Sequence, residues 1–175
     1  MYYSKINKCS ISEAPGISVV LFVSGCLSNK CKEGNCPGCH NKETQKFNCG
    51  KEFTSEVKYE ILGAVNHLYV DNFVLCGGEP FDQDIDVLID LVATVKKLMP
   101  EKNIWCYTGY EFEQIKSNPL TKYLDVAIVG PFILEQRDIS DANRWRGSRN
   151  QRIILVQESL EKKSTVYMPN IPNNE

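Results

Sequence analysis

SVVLFVSGCLSNKCKEGNCPGCHN, from Ser18 to Asn41, joins an apolar run to a dense group of thiols. Its first seven residues are near-continuously apolar and rich in β-branched side chains. That suits a strand covered on both faces, as in a parallel sheet. Four of the chain's eight cysteines follow at once: Cys26, Cys31, Cys36 and Cys39. So many thiols make a poor core and a poor helix, and they read as a loop around a soft metal centre. The loop leaves the C-terminal end of a buried strand, the edge where ligands gather in α/β folds. Spacing alone leaves two readings open. Four thiolates would close the site, as in a structural zinc knuckle or an electron-carrying cluster. Three thiolates on a four-iron cluster would leave one iron open for chemistry.

Strand and helix alternate through the middle of the chain. Ile6 to Gly16 reads as a short lead-in ending in the turn Pro15-Gly16. Thr54 caps a helix whose apolar stripe is Val57, Ile61, Leu62, Val65 and Leu68. Asn72 to Cys76 predicts a strand that ends in Gly77-Gly78-Glu79-Pro80. Asp84 to Met99 predicts a second amphipathic helix, stopped by Pro100. Further strands are expected at Asn103 to Tyr107, Leu124 to Val129, Arg152 to Val156 and Thr165 to Met168. A short helix is expected at Glu111 to Lys116. Phe132 to Asn150 shows no period and reads as a long, functional loop. The expected architecture is one α/β domain over 1–175 with a mostly parallel sheet. Residues 169–175 are expected to fray. The units are too few for a closed eight-fold barrel of about 250 residues.

Composition narrows the function. The net charge is −2, so no broad basic field argues for nucleic acid. The start MYYSKINKCS has no apolar signal core, and no run approaches the ~20 apolar residues of a membrane helix. A cytoplasmic chain with reduced thiols is expected. Cys9, Cys49 and Cys106 stand singly and read as incidental or buried thiols.

The segments Ser24-Gly25-Cys26 and Cys36-Pro37-Gly38-Cys39-His40-Asn41 resemble the radical S-adenosylmethionine enzymes. Among these they are most similar to the activating proteins of anaerobic ribonucleotide reductase, whose loop reads GC-x3-CPGCYN. Here the first gap is longer, C-x9-C-x2-C, and His40 replaces the Tyr. Ile104 to Tyr110 resembles the family's WxWTGY, and Trp145 to Gln151, WRGSRNQ, its WRGSxNQ. The resemblance implies an open, partial β/α barrel and a [4Fe-4S] cluster on Cys26, Cys36 and Cys39. Cys31 then falls in an insertion, as a free thiol, a protecting ligand or a ligand in place of Cys36. The resemblance also implies S-adenosylmethionine held by Gly77, Gly78 and Glu79 at its amino group. Gly38, Cys39 and His40 would lie on its adenine side, with Thr108 and Gly109 lining the pocket. Physically, glycines let backbone acceptors approach an ammonium, and a carboxylate offsets its charge. The implied activity is reductive cleavage of S-adenosylmethionine to a 5′-deoxyadenosyl radical. That radical makes a glycyl radical on the large subunit of anaerobic ribonucleoside-triphosphate reductase, with a flavodoxin-like protein as electron donor. From composition alone, the four arginines and one tryptophan between Asn143 and Arg152 suggest docking of carboxylates or a partner chain.

Overall fold

The structure is a computed structural model that describes residues 1–27, 36–140 and 144–170. Among these, seven strands form one sheet: β1 (Tyr2–Ser10), β2 (Ser18–Ser24), β3 (Lys51–Glu52), β4 (Asn72–Gly77), β5 (Asn103–Tyr107), β6 (Val126–Val129) and β7 (Arg152–Leu155). The helices are α1 (Ser55–Val65), α2 (Ile85–Leu98), α3 (Phe112–Ile115) and α4 (Val156–Lys162).

The order across the sheet is β3-β1-β2-β4-β5-β6-β7. Strands β2, β4, β5 and β6 run parallel, as the alternation of strands and helices requires. The margins differ from expectation. β1 is antiparallel to both β2 and β3, and β7 is antiparallel to β6. The six pairings therefore divide evenly, so the sheet is mixed rather than mostly parallel.

The apolar run of β2 is explained by cover on both sides. Val19, Leu21 and Val23 join the larger core with Phe73, Leu75 and Ile104, under α1 and α2. Val20 belongs to a smaller core on the other face, with Val74, Cys76, Trp105, Ile128 and Ile153. α2 buries Leu88, Leu91, Val92 and Val95 in the larger core, with Asp84 at its N-cap and Met99 at its C-cap. Thr54 caps α1, its side chain accepting the Val57 N–H at 3.5 Å. Leu68 is a correction: α1 stops at Val65 and Leu68 is 100% exposed.

The ends of the chain depart most from expectation. The lead-in before Gly16 contains β1, a nine-residue strand with few apolar residues to announce it. β6 starts at Val126 rather than Leu124. Val156 opens α4 rather than closing a strand, and of the stretch Thr165 to Met168 only Tyr167 forms an isolated bridge, to Ile154. The described residues of the stretch Phe132 to Asn150 are mainly loop, with a short 3-10 turn at Leu134–Gln136 and a bridge between Arg137 and Ser148. Among the described residues no helix is long and apolar enough to cross a membrane.

Candidate iron–sulfur and cofactor site

The parallel strands all end at the same edge, and their loops meet there by main-chain contact. Past β2, the Gly25 N–H donates to the Thr44 carbonyl at 2.7 Å and the Cys26 N–H to the Gln45 carbonyl at 3.1 Å. Past β4, the Gly78 N–H donates to the Val23 carbonyl and the Glu79 N–H to the Gly25 carbonyl, both at 2.8 Å. A Cβ on Gly78 would fall 2.3 Å from the Gly25 carbonyl oxygen, so only glycine permits this approach. The CPGC turn is closed by the Cys39 N–H donating to the Cys36 carbonyl at 3.0 Å.

Glu79 joins a third loop to these two. It is 2% exposed. Its Oε1 accepts from Thr108 Oγ1 at 2.7 Å and from the Phe81 N–H at 3.2 Å, while Oε2 accepts from the Gly109 N–H at 2.8 Å. A buried carboxylate tolerates that position only with such donors. The loops after β4 and β5 are thus fixed to one another by one side chain.

Together the loops enclose a cavity of about 660 Å³. Cys26, Cys36, Cys39, His40, Gly77, Gly78 and Glu79 all line it, as do Thr108 and Gly109. Gly38 does not line it. Gly38 instead makes the turn, at φ +70°, and a Cβ there would sit 2.6 Å from Leu134 Cδ1. The three thiols are half-buried. The His40 ring lies 5.2 Å from that of Phe132, tilted by 48°. Cys31 lies outside the described residues. Among the described residues no group of three His, Cys, Asp or Glu side chains is gathered tightly enough to hold a single metal ion. Burial pushes the Cys76 thiol, also on the cavity wall, up to about 12, and the charge of Glu13 adds to the shift. Burial also raises Tyr110, with its hydrogen bond to Asp82 as the next cause.

Several lining residues were not expected. Glu13, from the lead-in, borders the cavity, and its carbonyl accepts the Tyr107 hydroxyl at 2.8 Å. The WRGSRNQ segment is turned inward more than an arginine-rich loop suggests. Arg146, Ser148 and Gln151 are buried. Gln151 Oε1 accepts the Gly147 N–H at 2.8 Å and the Ser148 N–H at 3.2 Å, while its Nε2 donates to the Gly130 carbonyl at 3.0 Å. Asn150 Nδ2 donates to the Pro131 carbonyl at 2.8 Å. Burial, then the charge of Arg152, lowers the Arg146 pKa. Trp145 sits at φ +61°, unusual for a bulky residue, with its ring 5.7 Å from that of Trp105. The polar sequence signal was there, but amide staples and exposed basic loops look alike in composition.

The chain matches the 4Fe-4S single cluster domain over residues 13–154, which spans the cavity lining from Glu13 to Gln151. It is 38% identical over 154 residues to the anaerobic ribonucleoside-triphosphate reductase-activating protein of Enterobacteria phage T4, covering 87% of this chain and 93% of that one. The protein of the same name from Salmonella typhi is 32% identical over 156 residues, and that from Escherichia coli (strain K12) 31%. Each match covers 86% of this chain and 96% of the relative. The chain belongs to the anaerobic ribonucleoside-triphosphate reductase-activating protein family. No solved structure matches it. In this activating-protein family member, the residues matched to the 4Fe-4S domain include Cys26, Cys36 and Cys39 of the cysteine loop and the inward-turned WRGSRNQ segment.

Proposed function

We propose that this protein is a radical S-adenosylmethionine activase of anaerobic ribonucleoside-triphosphate reductase, acting in the cytoplasm with a flavodoxin-like electron donor. One observation carries the reading: three thiols, a glycine-rich strand end and the turn after β5 line a single cavity. Three loop thiols on one cavity wall are a donor set for a [4Fe-4S] cluster with one iron left to a non-protein ligand. Cys26, Cys36 and Cys39 would hold it. The bound cluster supplies one electron that splits S-adenosylmethionine into methionine and a 5′-deoxyadenosyl radical, which takes a hydrogen atom from a glycine of the reductase.

The residues of this chain bind, orient and exclude water. The main chain at Gly77 and Gly78 offers acceptors to the amino group of the nucleotide, and Glu79 places negative charge beside it. Because both Glu79 oxygens already take donors from the β5 loop, we assign it an electrostatic and structural part in addition to contact. Gly38, Cys39 and His40 form the adenine side, Gly38 through the turn it permits. We read the sheet as an open barrel whose edges, β3 and β7, stay unjoined.

Anaerobic reconstitution with iron and sulfide, followed by reductant and S-adenosylmethionine, tests this. The expected products are 5′-deoxyadenosine and, with the reductase present, a glycyl-radical signal. Cys26→Ala, Cys36→Ala and Cys39→Ala each lose the cluster by iron and sulfide count, while Cys31→Ala keeps most of it. A protein that takes zinc through all four cysteines of the loop would sink the proposal.

A further inference from the structure

Of the carboxylates between β4 and α2, Glu79 alone has a part in the cofactor site proposed above. Another, Asp82, reaches the cysteine loop. Its Oδ2 accepts the N–H of Leu27, the residue after Cys26, at 2.7 Å. Its Oδ1 accepts the Tyr110 hydroxyl at 2.6 Å. Tyr110 is itself fixed: its N–H donates to Thr108 Oγ1 at 3.1 Å and its carbonyl accepts the Gly130 N–H at 2.9 Å. Beside Asp82, Gln83 Nε2 donates to the Gly25 carbonyl at 2.9 Å. Residues 25 and 27 are therefore gripped on both sides of Cys26, and the grip runs back through Tyr110 to the end of β6.

We infer that Asp82, locked by Tyr110, is a positioning residue for Cys26 and holds the cluster potential low. Two physical effects act together. The brace fixes the main chain on either side of a ligand, as the partners behind a metal ligand do. It also sends the Leu27 N–H into a carboxylate, so this donor is kept from a sulfur, and it sets a negative charge nearby. N–H donors to sulfur and positive surroundings make a cluster easier to reduce, so withholding both makes the reduced cluster a stronger electron donor. Cleaving a sulfonium carbon–sulfur bond with one electron needs that strength. The inference rests on the function proposed above.

The test uses the reconstituted full chain as wild type and as Asp82→Ala, Asp82→Asn and Tyr110→Phe. The readouts are the rate of iron release to a chelator and the midpoint potential followed by electron paramagnetic resonance. Asp82→Ala should release iron about tenfold faster, and its potential should move positive. Asp82→Asn keeps an acceptor and loses the charge, so it should restore iron retention while its potential still moves positive. Tyr110→Phe should fall between wild type and Asp82→Ala in iron release. If Asp82→Ala fails to fold, the other two variants carry the test. Iron release and potential unchanged from wild type in the folded variants would overturn the inference. Wild-type protein that takes up no cluster would overturn the function and the brace together, which separates the two failures.

Discussion

Gly78 and Cys76 show how two residues of one strand end constrain the site differently. At Gly78 the constraint is space, since a Cβ would meet the Gly25 carbonyl oxygen at 2.3 Å. Gly78→Ala must push the β4 loop off the cysteine loop. We expect it to lower S-adenosylmethionine affinity in the reconstituted protein at least about tenfold, while α-helix content by circular dichroism is kept. At Cys76 the constraint is dielectric. Its thiol pKa rises from 9.0 to about 12 through burial, then the charge of Glu13. The unfolded chain therefore gives up this proton first as pH rises, and binds fewer protons than the folded one. Stability falls between about pH 9 and 12. Cys76→Ala should flatten part of that alkaline fall in melting temperature, the buried Cys106 and Tyr107 accounting for more of it. Cys26, Cys36 and Cys39 suggested a metal centre by residue type, while Gly77, Gly78 and Glu79 were singled out through the family resemblance; the fold puts all six on one cavity. Glu79's double engagement with Thr108 and Gly109 was not legible, because hydrogen bonds between loops leave no spacing in the sequence.

Elements with strong periodicity were legible nearly to the residue, and the reason is burial. β2 and β5 fall at their expected bounds, and α2 differs by its two caps. Each places a continuous or 3.6-periodic apolar set in a core. The elements that were missed lack such a set. β1 buries only Tyr3 and Ser10 and shows no regular apolar alternation, so its antiparallel pairing with β2 is not announced in the sequence. α4 is short, with only Val156 and Ser159 buried. These differences predict unequal costs. Leu91→Ala, fully buried on α2, should lower unfolding free energy by about 2–5 kcal/mol in urea titrations. A loss well under 1 kcal/mol would mean that α2 packs less tightly on the sheet than its burial indicates.

For the whole molecule, the chain is short and the cavity opens at one edge of the sheet. Under the proposed function, a protein substrate passes its glycine over that mouth. Ile139 stands there 88% exposed, and Arg149 is exposed on the stapled loop nearby. Under the proposed function these are docking contacts. Ile139→Ser with Arg149→Glu should raise the reductase concentration needed for half-maximal glycyl radical about tenfold. Cleavage of S-adenosylmethionine in the absence of reductase should change little. Equal loss of both activities would remove this surface from the docking contacts.

Glu13 and Gln151, near the two ends of the matched region, both line the same cavity. During synthesis Cys39 leaves the ribosome long before Gln151 does. At about 5–20 residues per second that delay is on the order of ten seconds. The nascent thiols therefore face solvent and oxidants before any shelter exists. The cavity wall is therefore complete only once the chain has been made through Gln151, and the loop thiols are least sheltered while translation is still under way.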